Sequence, residues 1–449
     1  MKTLYSRWDI LAKLRDYLTP YFEGFTKPTT RTLIWITIAM IAVGSVRSVR
    51  SLHMEFLTDL DLVSLNCLYH ALGYAKRPIK RAFIRVTVQL MLKVIPPGLR
   101  SALCFLIVDD TLVPKFGRKF DLVGTLFDHA DHDGRPYKNG HCMVCIALSV
   151  PVGRNRKSKQ IIYLSVPLIL KIWEKGGPSK LEIAHDLLLE VKDAAADLTR
   201  FVLLMDSWYP KAPLLRIRDE WKGLKLICAV RSDTALYDLP PARTGKRGRP
   251  RKRGAKLSLT DFNLKPCGLD GYLAGSRPVL TNLFGADQVT AFVTSPASGN
   301  GSCRLYLSTL SCHEVKELVS EAVRFCEAEH EEFIPLMFYR NRWAIEIMFY
   351  ELKKHWNLES YMVRSITAMD LLLNLIVLAY TACKLLPYMD RDFKAWRGSS
   401  PQQVRLKIGK LILQRIFLYR MAQDLQTGKN RSGLEKAFGK LLVRFAKLD

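Results

Sequence analysis

Residues 102–111 read Ala102-Leu-Cys-Phe-Leu-Ile-Val108-Asp109-Asp110-Thr111. Seven apolar residues follow one another without alternation, and the run stops at two carboxylates. A short run of this kind predicts a strand buried on both faces, as in a sheet covered by helices. The stretch Thr199-Arg-Phe-Val-Leu-Leu-Met205 repeats the pattern and stops at Asp206. Between the two, residues 140–150 and 160–166 predict strands and 178–196 a helix. A further helix and a strand over 222–230 follow. This order predicts an α/β core with a mixed sheet, its first part over residues 101–235.

Working outward, residues 241–256 read PARTGKRGRPRKRGAK, with eight basic residues, no acidic one, three glycines and two prolines. That composition predicts a loop. Short strands over 271–274, 277–281, 289–294 and 304–308 then predict a β-rich insertion spanning 236–311. Helical patterning resumes over 312–325, continues as one long helix over 333–356 and again over 368–386. Residues 312–390 are therefore the second part of the core. The last 59 residues, 391–449, are helical in pattern and carry 14 Lys+Arg against 4 Asp+Glu. Residues 1–100 are helical as well. Leu62, Leu65, Leu68 and Leu72 hold helical spacing up to Gly73. After Pro78 a helix runs over 79–94. Arg77, Arg81 and Arg85 stand four apart there, with Phe83, Val86, Val88 and Leu90 on the remaining faces. The stripe is either a solvated surface or one member of a helix-turn-helix-like pair laid against DNA.

The 449 residues are enough for two to four domains. An apolar share of 49% and a charged share of 24% exclude wholesale disorder. Sixty-eight Lys+Arg against 42 Asp+Glu leave a net charge of +26, which points to a polyanionic partner. The start, MKTLYSRWDILAKLRDY, has charges every few residues and is not a secretory signal. The uncharged stretch over 32–46 is shorter than the roughly 18 residues of a membrane-spanning helix, so a core helix is expected and no membrane. Nucleic acid is then the preferred polyanion. Ten cysteines in apolar surroundings fit reduced core thiols and a cytoplasmic location. No Gly-x-x-x-x-Gly-Lys-[Ser/Thr] loop occurs, which disfavours a P-loop NTPase.

Two strands that end in Asp109 and Asp206 place carboxylates where α/β sheets collect their sites. Such a pair suits a hard cation such as Mg²⁺, and a third carboxylate would suit two ions. The alternative is that each aspartate caps the following turn. A third carboxylate is supplied by Phe338-Tyr-Arg-Asn-Arg-Trp-Ala-Ile-Glu-Ile-Met-Phe-Tyr-Glu-Leu-Lys-Lys354. At about 100° per residue, Tyr339, Arg342, Glu346 and Lys353 share a stripe roughly 60° wide. Such a line fits a helix edge facing a metal and phosphates; equally, Arg342 and Glu346 fit a surface i,i+4 pair.

Tyr-x2-Arg-x3-Glu-x6-Lys resembles the YREK signature of bacterial insertion-sequence transposases with a DDE triad, matched at Tyr339, Arg342, Glu346 and Lys353. Asp109-Asp110-Thr111 resembles the family's first Asp-x-Thr, and Asp206-Ser-Trp-Tyr209 its second aspartate. Gaps of 97 and 140 residues keep the order, with the β-rich insertion in the longer one. The resemblance implies an RNase H-like catalytic domain in which Asp109, Asp206 and Glu346 hold two Mg²⁺ or Mn²⁺ ions. Tyr339, Arg342 and Lys353 would hold phosphates beside the scissile bond. The implied activity is cut-and-paste transposition: binding of terminal inverted repeats, cleavage, and strand transfer to target DNA by a homodimer. The doubled aspartate leaves open whether Asp110 takes the role of Asp109. Other readings of the same residues are a DNA-binding protein with a vestigial triad and a nuclease without strand transfer.

Arg247 and Arg249 lie in an Arg-Gly-Arg-Pro core that either enters an A·T-rich minor groove or contacts phosphates without specificity. Cys142 and Cys145, with His141, superficially resemble zinc spacing. On a strand, however, positions i and i+3 point to opposite faces, so zinc is not expected. Asp128, His129, Asp131, His132 and Asp133 form a polar cluster that predicts a loop.

Overall fold

The computed structural model describes residues 10–44, 48–58, 63–74, 79–117, 119–128, 134, 136–195, 200–242, 251–321 and 328–426. Twelve strands lie among them: β1 (Cys104–Pro114), β2 (Gly124–Phe127), β3 (Tyr137–Arg154), β4 (Ile161–Ile172), β5 (Phe201–Met205), β6 (Lys225–Val230), β7 (Leu236–Tyr237), β8 (Lys256–Leu257), β9 (Lys265–Pro266), β10 (Tyr272–Thr281), β11 (Val289–Pro296) and β12 (Arg304–Ser308). The chain divides into two units. One comprises Met1–Val86, Leu112–Cys142 and Phe349–Asp449; the other comprises Thr87–Thr111 and Met143–Met348.

The second unit is built on a mixed sheet of order β3-β1-β5-β6-β12-β11-β10-β7-β8, with β4 on β3 and β9 on β10. Its centre is parallel: β1 pairs β5, and β5 pairs β6. These strands hold the unalternating apolar runs. Residues 104–108, 202–205 and 226–228 are all fully buried, as strands covered on both faces must be. The flanks are antiparallel, β3 with β4 and β6 with β12. The chain is thus a mixed α/β protein, consistent with an RNase H-like core. The strands of 236–311 join the same sheet through β12. The expected break between 271–274 and 277–281 is absent, because β10 pairs with β11 from Tyr272↔Pro296 to Val279↔Val289. Gly275 in its middle serves close approach: a Cβ there would meet the Asn263 carbonyl oxygen at 2.8 Å.

The first unit is mainly helical. Helix Lys27–Ala42 buries most of its side chains and packs on helices Ile366–Met389 and Pro401–Gln426. Helix Ile366–Met389 is long and apolar enough to cross a membrane by length and composition, and 83% of that window is buried within the protein. Helix Ile79–Lys93 buries Phe83, Val86 and Val88 and exposes Arg81 and Arg85. Arg85 donates to Glu23 Oε2 at 3.1 Å. Arg77, Arg247, Arg249, His129, Asp131, His132 and Asp133 lie outside the described residues.

Candidate active site

Parallel pairing of β1 with β5 runs from Cys104↔Phe201 to Val108↔Met205. Asp109 and Asp206 are the next residues on each strand. They therefore sit side by side at the same end of two adjacent parallel strands, about 4.8 Å apart in the backbone. One expectation is corrected: β1 does not end at Asp109 but runs on to Pro114. β1 has a second neighbour in β3, and pairing beyond β5's end continues there, with the Lys115 N–H donating to the Asn139 carbonyl at 2.8 Å.

Asp109 is largely buried. Its Oδ1 accepts the Asp110 backbone N–H at 2.9 Å and its Oδ2 accepts from Arg342 at 3.2 Å. Burial and the neighbouring charge of Asp206 push its pKa up to about 7, against the pull of the Asp110 N–H and Arg342. Asp206 Oδ1 accepts the Trp208 backbone N–H at 3.0 Å, so this aspartate also caps its turn. Arg342 donates at once to Asp109 and to Glu346. One guanidinium thus joins the first and third carboxylates of the expected triad, while Asp206 acts on the first through space.

Asp110 is occupied differently. Oδ1 accepts from the Tyr209 hydroxyl at 2.8 Å and Oδ2 from Lys180 at 2.8 Å. A local signal positions Lys180. Ser179 and Glu182 form a reciprocal capping box, the Ser179 N–H on Glu182 Oε2 at 2.8 Å and the Glu182 N–H on Ser179 Oγ at 3.2 Å. This fixes the first turn of helix Lys180–Ala195. The Ser-x-x-Glu pattern was present in the sequence but did not point to Asp110.

The expected continuous helix over 333–356 is also corrected. Helix Ile334–Tyr339 passes through a 3-10 turn at Arg340–Arg342 into helix Trp343–His355. A 3-10 turn advances about 120° per residue, which breaks the uniform stripe. Asn341 stabilises the turn by donating to the Phe338 carbonyl at 3.0 Å. Tyr339 donates its hydroxyl to the Met205 carbonyl at 3.1 Å, beside Asp206, and burial raises its phenol pKa. Arg342 and Glu346 lie with Asp109. Lys353 belongs to the helical unit, where it donates to the Leu112 carbonyl at 2.7 Å, and burial lowers its pKa.

A buried cluster in the helical unit escaped the sequence reading. Lys115 donates to the Glu359 and Tyr361 carbonyls at 2.7 and 2.8 Å and lies 3.3 Å from the Tyr361 ring centroid. Burial lowers its pKa to about 8. His141 bonds the Tyr361 hydroxyl at 2.5 Å and the Asp121 carbonyl at 2.8 Å, so it is a structural partner there. Cys142 and Cys145 are buried in β3.

Among the described residues, no three His, Cys, Asp or Glu side chains are gathered as a ready metal cluster. The donor chemistry of the site nevertheless fits a hard cation. Burial and the charge of Asp206 make the ionised form of Asp109 costly, and a guanidinium already bridges Asp109 to Glu346. Two carboxylates with water suffice for Mg²⁺.

A family model described as DDE superfamily endonuclease matches residues 174–266. That span contains Asp206, Trp208 and Lys180, but neither Asp109 nor Glu346. The chain is similar to these endonucleases over that part of the core, which supports a nuclease-type activity on DNA. None of the curated proteins compared matches the chain.

Proposed function

We propose that this protein is a DDE transposase: a metal-dependent DNA endonuclease that cuts at terminal inverted repeats and joins the freed ends to target DNA. The observation that carries this reading is the side-by-side placement of Asp109 and Asp206, with Arg342 linking Asp109 to Glu346. The likeness of residues 174–266 to DDE endonucleases and the net charge of +26 support it.

Asp109, Asp206 and Glu346 would hold Mg²⁺ or Mn²⁺. Bound there, two such ions would lower the pKa of an attacking hydroxyl and stabilise the departing oxygen. The protein's own groups do the rest. Tyr339, anchored on the Met205 carbonyl, fixes helix Ile334–Tyr339 against the end of β5. Arg342 is the cation within reach of both carboxylates and, once these are neutralised, is available to a phosphate by its planar fork. Lys353, in the helical unit, would contact DNA as a point charge. Asp110, held by Lys180 and Tyr209, keeps the aspartate pair in register. Arg77, Arg81, Arg85, Arg247 and Arg249 would contact DNA away from the cut. A homodimer would bring two ends together.

The test is incubation with Mg²⁺ or Mn²⁺ and DNA carrying the flanks of the coding region, with products separated by strand. Cleavage at a defined end and joined products are expected. Cleavage without joining would leave a nuclease. Tight, salt-sensitive binding with no cleavage under either metal would leave a DNA-binding protein.

A further inference from the structure

Trp208 stands two residues beyond Asp206, its backbone N–H on that carboxylate at 3.0 Å. Its half-buried ring is faced by two ammonium groups, Lys180 at 4.6 Å and Lys211 at 4.3 Å from the centroid. The ring also meets Tyr209 edge-on at 5.1 Å. Lys180 is shared with Asp110 at 2.8 Å. Lys211 is exposed and, among the described residues, makes no ion pair. An indole face attracts each cation. The charge of Lys180 is already paired with Asp110, so the charge that Lys211 brings to the ring is the one an anion would neutralise.

From this we infer that Trp208, Lys180 and Lys211 form a phosphodiester-binding subsite for the DNA strand next to the cut. Lys211 supplies the charge that the ligand neutralises. Lys180 couples the subsite to Asp110 and hence to the residue beside Asp109. Trp208 holds the two ammonium groups at the turn that carries Asp206. The inference rests on the nuclease reading and adds a contact that neither the triad nor Tyr339, Arg342 and Lys353 provide.

The experiment measures binding of the full chain to a labelled 30-base-pair duplex over a salt series without divalent metal. Cleavage with Mn²⁺ is followed in parallel. Each phosphate contact contributes about 0.9 to the slope of log affinity against log salt. Lys211→Gln is expected to lower the slope by about one contact and weaken binding, and Lys211→Arg to restore both. Trp208→Ala is expected to act in the same direction as Lys211→Gln, and Trp208→Phe to retain most of the wild-type slope. Wild-type slope and affinity in Lys211→Gln overturn the subsite while leaving the nuclease reading intact. A wild-type protein that binds DNA but never cleaves it overturns the nuclease reading, and the slope still decides the subsite.

Discussion

At the scale of single residues, the two adjacent aspartates behave as opposites. Asp109 has a folded pKa raised from the ordinary 3.8 to about 7. A raised value means that its contribution to stability is complete below 3.8 and is lost as pH rises through about 7. Asp109→Asn is therefore expected to stabilise the metal-free protein at pH 8 in urea unfolding. Asp110→Ala strips partners from Tyr209 and Lys180 and is expected to destabilise by about 1–3 kcal/mol. The reverse sign in either measurement would contradict the assignment of roles. The same raised pKa makes a metal compete with a proton. Apparent Mn²⁺ affinity, read by calorimetry, is expected to rise with pH by up to roughly tenfold per unit and to level off above about 7. Removing the resident cation by Arg342→Gln is expected to raise Mn²⁺ affinity roughly tenfold or more while abolishing cleavage. Unchanged affinity would mean that Arg342 does not stand in the metal's way.

At the scale of elements, what was legible in the sequence was what local composition decides. The runs ending in Val108 and Met205 announced β1 and β5 because they are short, unbroken and stopped by carboxylates, which suits a doubly covered strand rather than a longer buried helix. Where β1 stops depends on β3, a partner far along the chain, and so the ladder past Asp109 was not legible. The gap expected between 274 and 277 fell on Gly275, whose value lies in the approach of the Asn263 carbonyl. The 3-10 turn at Arg340–Arg342 hid for a related reason: helical periodicity assumes uniform winding. The triad candidates were legible by spacing, whereas Lys180, Trp208 and the Lys115–Tyr361 cluster depend on tertiary contacts. The capping box gives an element-level test. Ser179→Ala is expected to cost about 0.5–2 kcal/mol and to loosen Lys180 from Asp110. Denaturation and amide exchange at the first turn of helix Lys180–Ala195 would read it, and no change in either would remove the box from the account of the site.

At the scale of the whole molecule, the charge is divided between tasks. The acidic groups of the candidate site are few and crowded, while the basic excess lies largely elsewhere, in residues 241–256 and 391–449. Arg247→Ala with Arg249→Ala is expected to weaken duplex binding and reduce its salt slope by about two contacts. The cleavage rate at saturating DNA should stay near that of the wild type, and a fall there would place these arginines at the chemistry. The central claim is that Asp109, Asp206 and Glu346 act as one metal-dependent cutting centre. It is tested most directly by Mn²⁺-dependent strand cleavage of end-bearing DNA by the wild type beside Asp109→Asn, Asp206→Asn and Glu346→Gln, each still binding DNA. Loss of cleavage in all three is expected; full cleavage by any one of them would contradict the claim.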